Sequence, residues 1–224
     1  MAKRLYIFGT QNFAEMAHFL FDTDSDFELA GFTVDGAYVR EATFHGLPVI
    51  PFEELEWVMD KARDEIFVAI GVGKINTLRA AKVLELQARG FRLASFVSSH
   101  ARVPPGFVAQ PNTMIMDQVN IHPFVHVGMN TIVWSNSRIA LKAHVGDHVW
   151  ITSALIGDSG RIGDYTFVGL NATIAPFVTV GSHNLGGAAA VILQDTKDYQ
   201  VFRGPRSVAS TVSSLRIRNI PLIR

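Results

Sequence analysis

The chain has 224 residues, 20 Lys plus Arg against 20 Asp plus Glu, and no cysteine. Balanced charge removes the electrostatic argument for nucleic acid or anionic lipid as a partner. The missing cysteines exclude disulfides, thiolate metal sites and cysteine nucleophiles, and the length suits one or two domains.

No run of about twenty apolar residues is present, so membrane insertion is not expected. Met1-Ala2-Lys3-Arg4 leads straight into a strand and not into a signal peptide. The cytoplasm is the expected location. Leu5–Gly9 predicts a buried strand ending in glycine, and Asn12–Phe21 a helix with Phe13, Met16, Ala17 and Leu20 at helical spacing. Glu28–Asp35 predicts a second strand, Gly46–Pro51 a short extended piece, and Phe52–Arg63 a helix. Glu65–Gly71 predicts a strand, Asn76–Arg89 a helix stopped by Gly90, and Phe91–Val97 another strand. Strands alternating with helices imply a small parallel α/β domain. Ligands of such sheets lie beyond the carboxyl ends of the strands, which here carry Gly9, Asp35 and Gly71. The turn Gly9–Ala14 keeps only the first glycine of the dinucleotide fingerprint. Gly9 therefore either ends a strand or lines a ligand site. Asp35 could accept a hydrogen bond from a ribose or uracil, or cap the next turn.

After Ser98-Ser99-His100-Ala101 the pattern changes to a period of six. Apolar residues recur from Val103 and Ala109 through Ile115, Ile121 and Val127 to Ile151. One residue drops out, and the run resumes from Ile156 through Ile162 and Val168 to Ile192. The position four residues on is small or apolar, as at Val119, Thr131, Ala143 and Ala172. This is the signature of a parallel β-helix built from hexapeptides, each giving one short strand and one turn. Val and Ile fill a narrow core, and glycines such as Gly128, Gly146 and Gly163 are expected to permit tight corners through their backbone freedom. The expected boundaries are 1–99 for the α/β domain, 100–198 for the β-helix and 199–224 for a basic tail, taken as a solvated or packing segment.

An α/β domain followed by a hexapeptide β-helix resembles the sugar O-/N-acyltransferases of the sialic acid O-acetyltransferase and bacillosamine N-acetyltransferase type. The anchors are Tyr6-Ile7-Phe8-Gly9, Val68-Ala69-Ile70-Gly71, Val145-Gly146-Asp147-His148, Ile162–Gly169, Asn171–Ile174 and Gly204-Pro205. The resemblance implies a Rossmann-like first domain, a left-handed β-helix and a homotrimer. It implies acetyl-CoA as co-substrate in a groove between neighbouring helices, no metal, and a nucleotide-linked sugar held by Gly9, Asp35 and Gly71. Leu170, Asn171, Gly186, Gly187 and Ala188 match the segments that line the CoA groove. The implied role is acyl transfer to an amine or hydroxyl of a nucleotide-linked or surface-polysaccharide sugar. A histidine would be the general base, and a backbone N–H, mapped to Gly160, would stabilise the oxyanion.

The chain departs from the family at the base. Counting back from Val145-Gly146, the family histidine falls on Leu141, its partner on Lys142, and a further family histidine on Trp150. Residues eighteen apart should stack on adjacent coils. His126 and His144 are eighteen apart, which makes them candidate substitutes, with mutual pKa lowering, or else part of a polar surface ladder. The pairs His122/His126 and His144/His148 invite comparison with zinc-dependent carbonic anhydrases of β-helix type, but their spacing does not suit shared ligation. The alternative to catalysis is an altered or inactive relative that binds a sugar nucleotide or a partner protein.

Overall fold

The structure is a computed structural model that describes residues 3–209, 211–213 and 216. Part of the expected tail lies outside these residues. The α/β unit is a six-stranded sheet of β1 (Lys3–Phe8), β2 (Phe27–Val34), β3 (Thr43–Phe44), β4 (Leu47–Pro51), β5 (Glu65–Val68) and β6 (Arg92–Leu93), in the order β3-β4-β2-β1-β5-β6. All neighbours are parallel except the β3–β4 hairpin. Helices α1 (Asn12–Thr23) and α3 (Thr77–Ala88) match the expected spacing. Gly90, at φ 78°, ends the second of these.

The expected helix over Phe52–Arg63 is much shorter. A 3-10 turn at Phe52–Glu54 runs into α2 (Leu55–Val58), and Met59 is already extended. The buried Asp64 is the physical reason. Its carboxylate accepts the Asp60 N–H and pairs with Arg4, which fixes a turn where a helix would continue. The expected strand Phe91–Val97 is also split. Arg92–Leu93 joins the α/β sheet, while Phe96–Val97 stacks on Met114–Ile115 as the first rung of the β-helix.

The β-helix has three sheets of two-residue strands. Seven rungs from Phe96–Val97 to Val201–Phe202 form one face, which we term the docked face. Four rungs, His126–Val127, His144–Val145, Arg161–Ile162 and Thr179–Val180, form the histidine face. Five rungs from Asn120–Ile121 to Val191–Ile192 form the third face. The second residue of each rung points inward, so Ile115, Val133, Val145, Ile162, Val180 and their counterparts make one continuous apolar core. The buried Thr131 hydroxyl is satisfied inside the rod: Oγ1 donates to the Gly146 carbonyl and accepts from the Val149 N–H. Val103 packs on this core, but Ala109 does not, because Pro104, Pro105 and Gly106 break the first coil before a rung forms. The short hexad lies at Thr152–Ala154, so Arg138 pairs with Leu155 and His144 with Arg161 at a spacing of seventeen residues.

The corner glycines do a different job from the one expected. Gly128, Gly146, Gly163 and Gly181 do not take positive φ. The left-handed residue of each corner is instead a non-glycine two places later, such as Asn130, His148, Tyr165 and His183 at φ 53 to 60°. Glycine is needed because coils approach closely there: a Cβ on Gly163 would sit 2.6 Å from the Gly181 carbonyl carbon.

The α/β unit covers the docked face. Its Phe13, Phe21 and Phe67 pack with the outward-pointing Phe96, Met114, Ile132 and Trp150, and each such buried side chain contributes roughly 1.5–3 kcal/mol. Asp24, one residue beyond α1, accepts Ser98 Oγ and the Ser99 N–H and thereby ties down the junction.

Candidate functional site

His126 and His144 occupy equivalent positions on adjacent rungs of the histidine face, and both are exposed. Their rings stack at 4.6 Å between centroids and 16° between planes, as the eighteen-residue spacing requires. Partial burial, then the neighbouring His126 and Arg161, push the His144 imidazole below its ordinary pKa. Asp164 and Asp147 pull weakly the other way. A lowered pKa favours the neutral imidazole, the form a general base needs. His144, Arg161, Asp164, Thr179, Ser182 and Asp198 line a shallow trough of about 310 Å³. Arg161 escaped the sequence reading because the shortened hexad places it seventeen residues after His144.

Leu141 lies at the corner between the third and histidine faces. It is 38% exposed, and its N–H donates to the Asp158 carboxylate. Lys142 takes the left-handed corner position at φ 58°. Trp150 is buried on the docked face, against Phe13 and the Arg79 guanidinium. None of the three offers a proton acceptor to the trough. The Gly160 N–H donates to the Gly157 carbonyl at 3.1 Å, so it is committed within its own corner. His148 does not join His144. It turns to the next corner, where its Nδ1 lies 2.8 Å from the Asn130 amide nitrogen. No group of three or more His, Asp or Glu side chains that could hold a metal gathers among the described residues.

Leu170 and Asn171 form the corner between the docked and third faces. Gly187 and Ala188 form the same corner one coil on. Gly186 aligns with the core residue Val168, so its Cα faces inward and only its backbone could reach a ligand. This corner is separated from His144 by the whole third face. One chain therefore does not bring the residues expected to line a donor groove to His144.

On the α/β unit, Gly9, Asp35 and Gly71 come together at the carboxyl edge, following β1, β2 and β5. Gly9 needs to be glycine: φ is 126°, and a Cβ would meet the Ala69 carbonyl at 3.0 Å. Asp35 forms an ion pair with Lys82 at 2.8 Å, which leaves its second oxygen without that partner. Gly71 faces open space.

A column of corner residues was missed in the sequence. Asn112, Asn130, His148, Tyr165, His183 and Tyr199 stack along one edge, all at φ between 53 and 60°. The rings of the last four lie 4.6 to 4.8 Å apart. Their spacings of sixteen to eighteen residues were the available signal. Arg79 was missed too. It is 0% exposed on α3 and has no carboxylate partner among the described residues. Burial pulls its pKa down to about 9, so it stays charged at neutral pH.

No family model matches the chain. Over 95 residues it is 25% identical to the acyl-(acyl-carrier-protein)–UDP-N-acetylglucosamine O-acyltransferase of Burkholderia orbicola, covering 42% of this chain and 32% of that one. The chain thus spans about a third of the length of that curated relative. Among solved structures it is similar to the acetyltransferase domain of PglB from Neisseria gonorrhoeae, with a TM-score of 0.77, 21% identity, and 90% of this chain and 97% of that one covered. It is also similar to a histidine variant of perosamine N-acetyltransferase from Caulobacter crescentus in complex with CoA and GDP-perosamine, with a TM-score of 0.70, 20% identity, and 89% and 93% covered. WeeI from Acinetobacter baumannii follows at 0.59 and 15%, with 88% and 94% covered. The chain therefore shares the two-part fold of these proteins, from the α/β sheet through the β-helix.

Proposed function

We propose that the chain is an acetyl-CoA-dependent acyltransferase acting on an amine or hydroxyl of a nucleotide-linked sugar, with His144 as general base. The observation that carries this reading is the exposed His144, stacked on His126 with a lowered pKa above a polar trough, on a fold shared with sugar acetyltransferases over nine-tenths of the chain. The similar structures whose names include acetyl coenzyme A or CoA with GDP-perosamine support the choice of donor and acceptor class. In this mechanism a His144 ring nitrogen takes the proton of the attacking amine or hydroxyl. The new bond forms to the acyl carbon, the carbon–sulfur bond breaks, and the departing thiolate receives the proton from His144.

The Leu170–Asn171 and Gly187–Ala188 corner lies one face away from His144, so the donor groove needs a second copy of the chain beside the first. A homotrimer supplies one, with CoA between the corner of one copy and the histidine face of the next. Gly9, the free Asp35 oxygen and Gly71 would take the nucleotide. A left-handed winding, a cytoplasmic location and a role in surface-polysaccharide synthesis belong to the same reading. No helix among the described residues is long and apolar enough to cross a membrane.

The test is release of free CoA from acetyl-CoA in the presence of a panel of nucleotide-linked amino sugars. His144→Ala should lower the rate by about 10²–10⁴-fold. Absence of acetyl-CoA binding by calorimetry would refute the reading. A second reading, a non-catalytic binder of sugar nucleotide or partner protein, is favoured by Leu141, Lys142 and Trp150 standing where the family places proton-transfer groups. That reading requires nucleotide binding with no turnover.

A further inference from the structure

The turn between β5 and α3 is the most strained stretch among the described residues. Lys74, Ile75 and Asn76 have φ of 49°, 49° and 64°, three consecutive non-glycines in the left-handed region. That conformation crowds any Cβ, and a β-branched one such as that of Ile75 most. It persists only where surrounding groups hold it.

Two side chains hold it here. Asn76 Nδ2 donates to the carbonyls of Tyr165 and Thr166 at 3.3 and 3.4 Å. Arg79 does more. Its Nη1 donates to the carbonyls of Ile70 and Gly71 and to Asn76 Oδ1, at 3.4, 3.5 and 3.2 Å. Its Nε and Nη2 donate to Asn130 Oδ1 and to the carbonyls of Asn130, His148 and Val149, at 3.0 to 3.4 Å. One guanidinium therefore grips the turn after Gly71 on one side. On the other it grips the corner that directly follows the His144–Val145 rung.

Sealing the interface does not require this. The aromatic cluster around Phe13, Phe67 and Trp150 already packs the two units together there. An apolar side chain of similar volume would fill the space without desolvating a charge. Such a side chain could not fix the carbonyls of residues 70 and 71 and the Asn76 amide in one arrangement. At the exposed tip, Lys74 makes no ion pair among the described residues, whereas Lys82 is engaged by Asp35 and Glu85. The turn thus presents an unpaired cation at the sheet edge where a nucleoside diphosphate would lie.

We propose that Arg79 is a positioning residue for the acceptor: it fixes the 71–76 turn as the diphosphate-facing wall of the nucleotide-sugar subsite and holds that wall in register with the His144 rung. This deepens the acyl-transfer reading and rests on it.

Calorimetric titration of the full chain with UDP, with GDP and with acetyl-CoA tests the assignment. The variants are Arg79→Met, Arg79→Lys and Asn76→Gly. Glycine at position 76 keeps the left-handed backbone while removing all three hydrogen bonds of the Asn76 amide. Arg79→Met and Asn76→Gly should weaken the preferred nucleotide at least about tenfold, with acetyl-CoA affinity unchanged within about twofold, and Arg79→Lys should recover part of the loss. With a turnover substrate in hand, the loss should appear in the acceptor KM more than in kcat. Unchanged nucleotide affinity in a folded variant overturns the proposal, as does equal loss of both ligands. If Arg79→Met does not fold, Asn76→Gly decides. A wild-type chain that binds acetyl-CoA but neither nucleotide overturns the acceptor subsite and leaves acyl transfer standing. One that binds none of the three overturns both.

Discussion

Substituting Gly163 by alanine isolates the close approach between coils. The Gly163 N–H donates to the Val180 carbonyl at 2.8 Å, and a Cβ at residue 163 would lie 2.6 Å from both the Gly181 carbonyl carbon and the Ser182 nitrogen. All of these are backbone atoms, which cannot rotate aside. Reaching ordinary contact near 3.4 Å requires the two coils to open by about 0.8 Å. That movement takes the 2.8 Å hydrogen bond past its working range. One lost backbone bond costs about 1 kcal/mol net, and overpacking of this kind adds about 1–3 kcal/mol. Gly163→Ala should therefore destabilise the protein by about 2–4 kcal/mol. Gly71→Ala is the control: nothing lies within 4 Å of the added Cβ, so its effect should stay within about 0.5 kcal/mol. Urea denaturation followed by circular dichroism, at one protein concentration, measures both. Equal midpoints for Gly163→Ala and Gly71→Ala would show that the glycine ladder is not a steric requirement.

His126→Ala removes the second cause of the depressed His144 pKa, after burial. The acid limb of the acyl-transfer rate should move to higher pH, and an unmoved limb would show that the stack does not tune the base. Burial is the chief cause that lowers the His148 pKa, with Arg79 adding to the effect, so its folded pKa lies below that of the unfolded chain. The unfolded chain then binds more protons as pH falls. Stability should be full above about 6.5 and decline as pH drops below that value toward the folded pKa. His148→Gln should flatten that decline in denaturation midpoints measured from pH 8 to pH 5. Trp150→Ala should cost about 3–5 kcal/mol by urea denaturation, because Trp150 fills the junction between Phe13, Trp134 and Arg79. A cost under about 1 kcal/mol would mean the junction closes without it.

The inward column of Val and Ile was legible because a period of six survives any outward chemistry, and the same arithmetic placed His126 on His144. What covers an outward face carries no such period. Met114, Ile132 and Trp150 give no sign in sequence that a second unit covers them. Arg79 sits on a helix where arginine is ordinary, and its burial depends on partners 51 to 70 residues away. The glycine positions were visible but their reason was not. Backbone freedom and close approach look alike in a sequence, and only the φ values and neighbour distances separate them. The helix expected over Phe52–Arg63 failed at Asp64, whose pairing with Arg4 crosses sixty residues.

The contacts of the β-helix and of its junction differ in reach, and that sets an order of assembly. Rung-to-rung hydrogen bonds join residues about seventeen or eighteen apart, so each coil can close on its predecessor as a short loop. The bonds from Asn76 to Tyr165 and Thr166 close loops of 89 and 90 residues and reward nothing until two finished surfaces meet. Growth of the rod is therefore expected to be incremental, and docking a single late step. In pulsed hydrogen exchange during refolding, amides of the Val145 and Ile162 rungs should gain protection before those of the 71–76 turn.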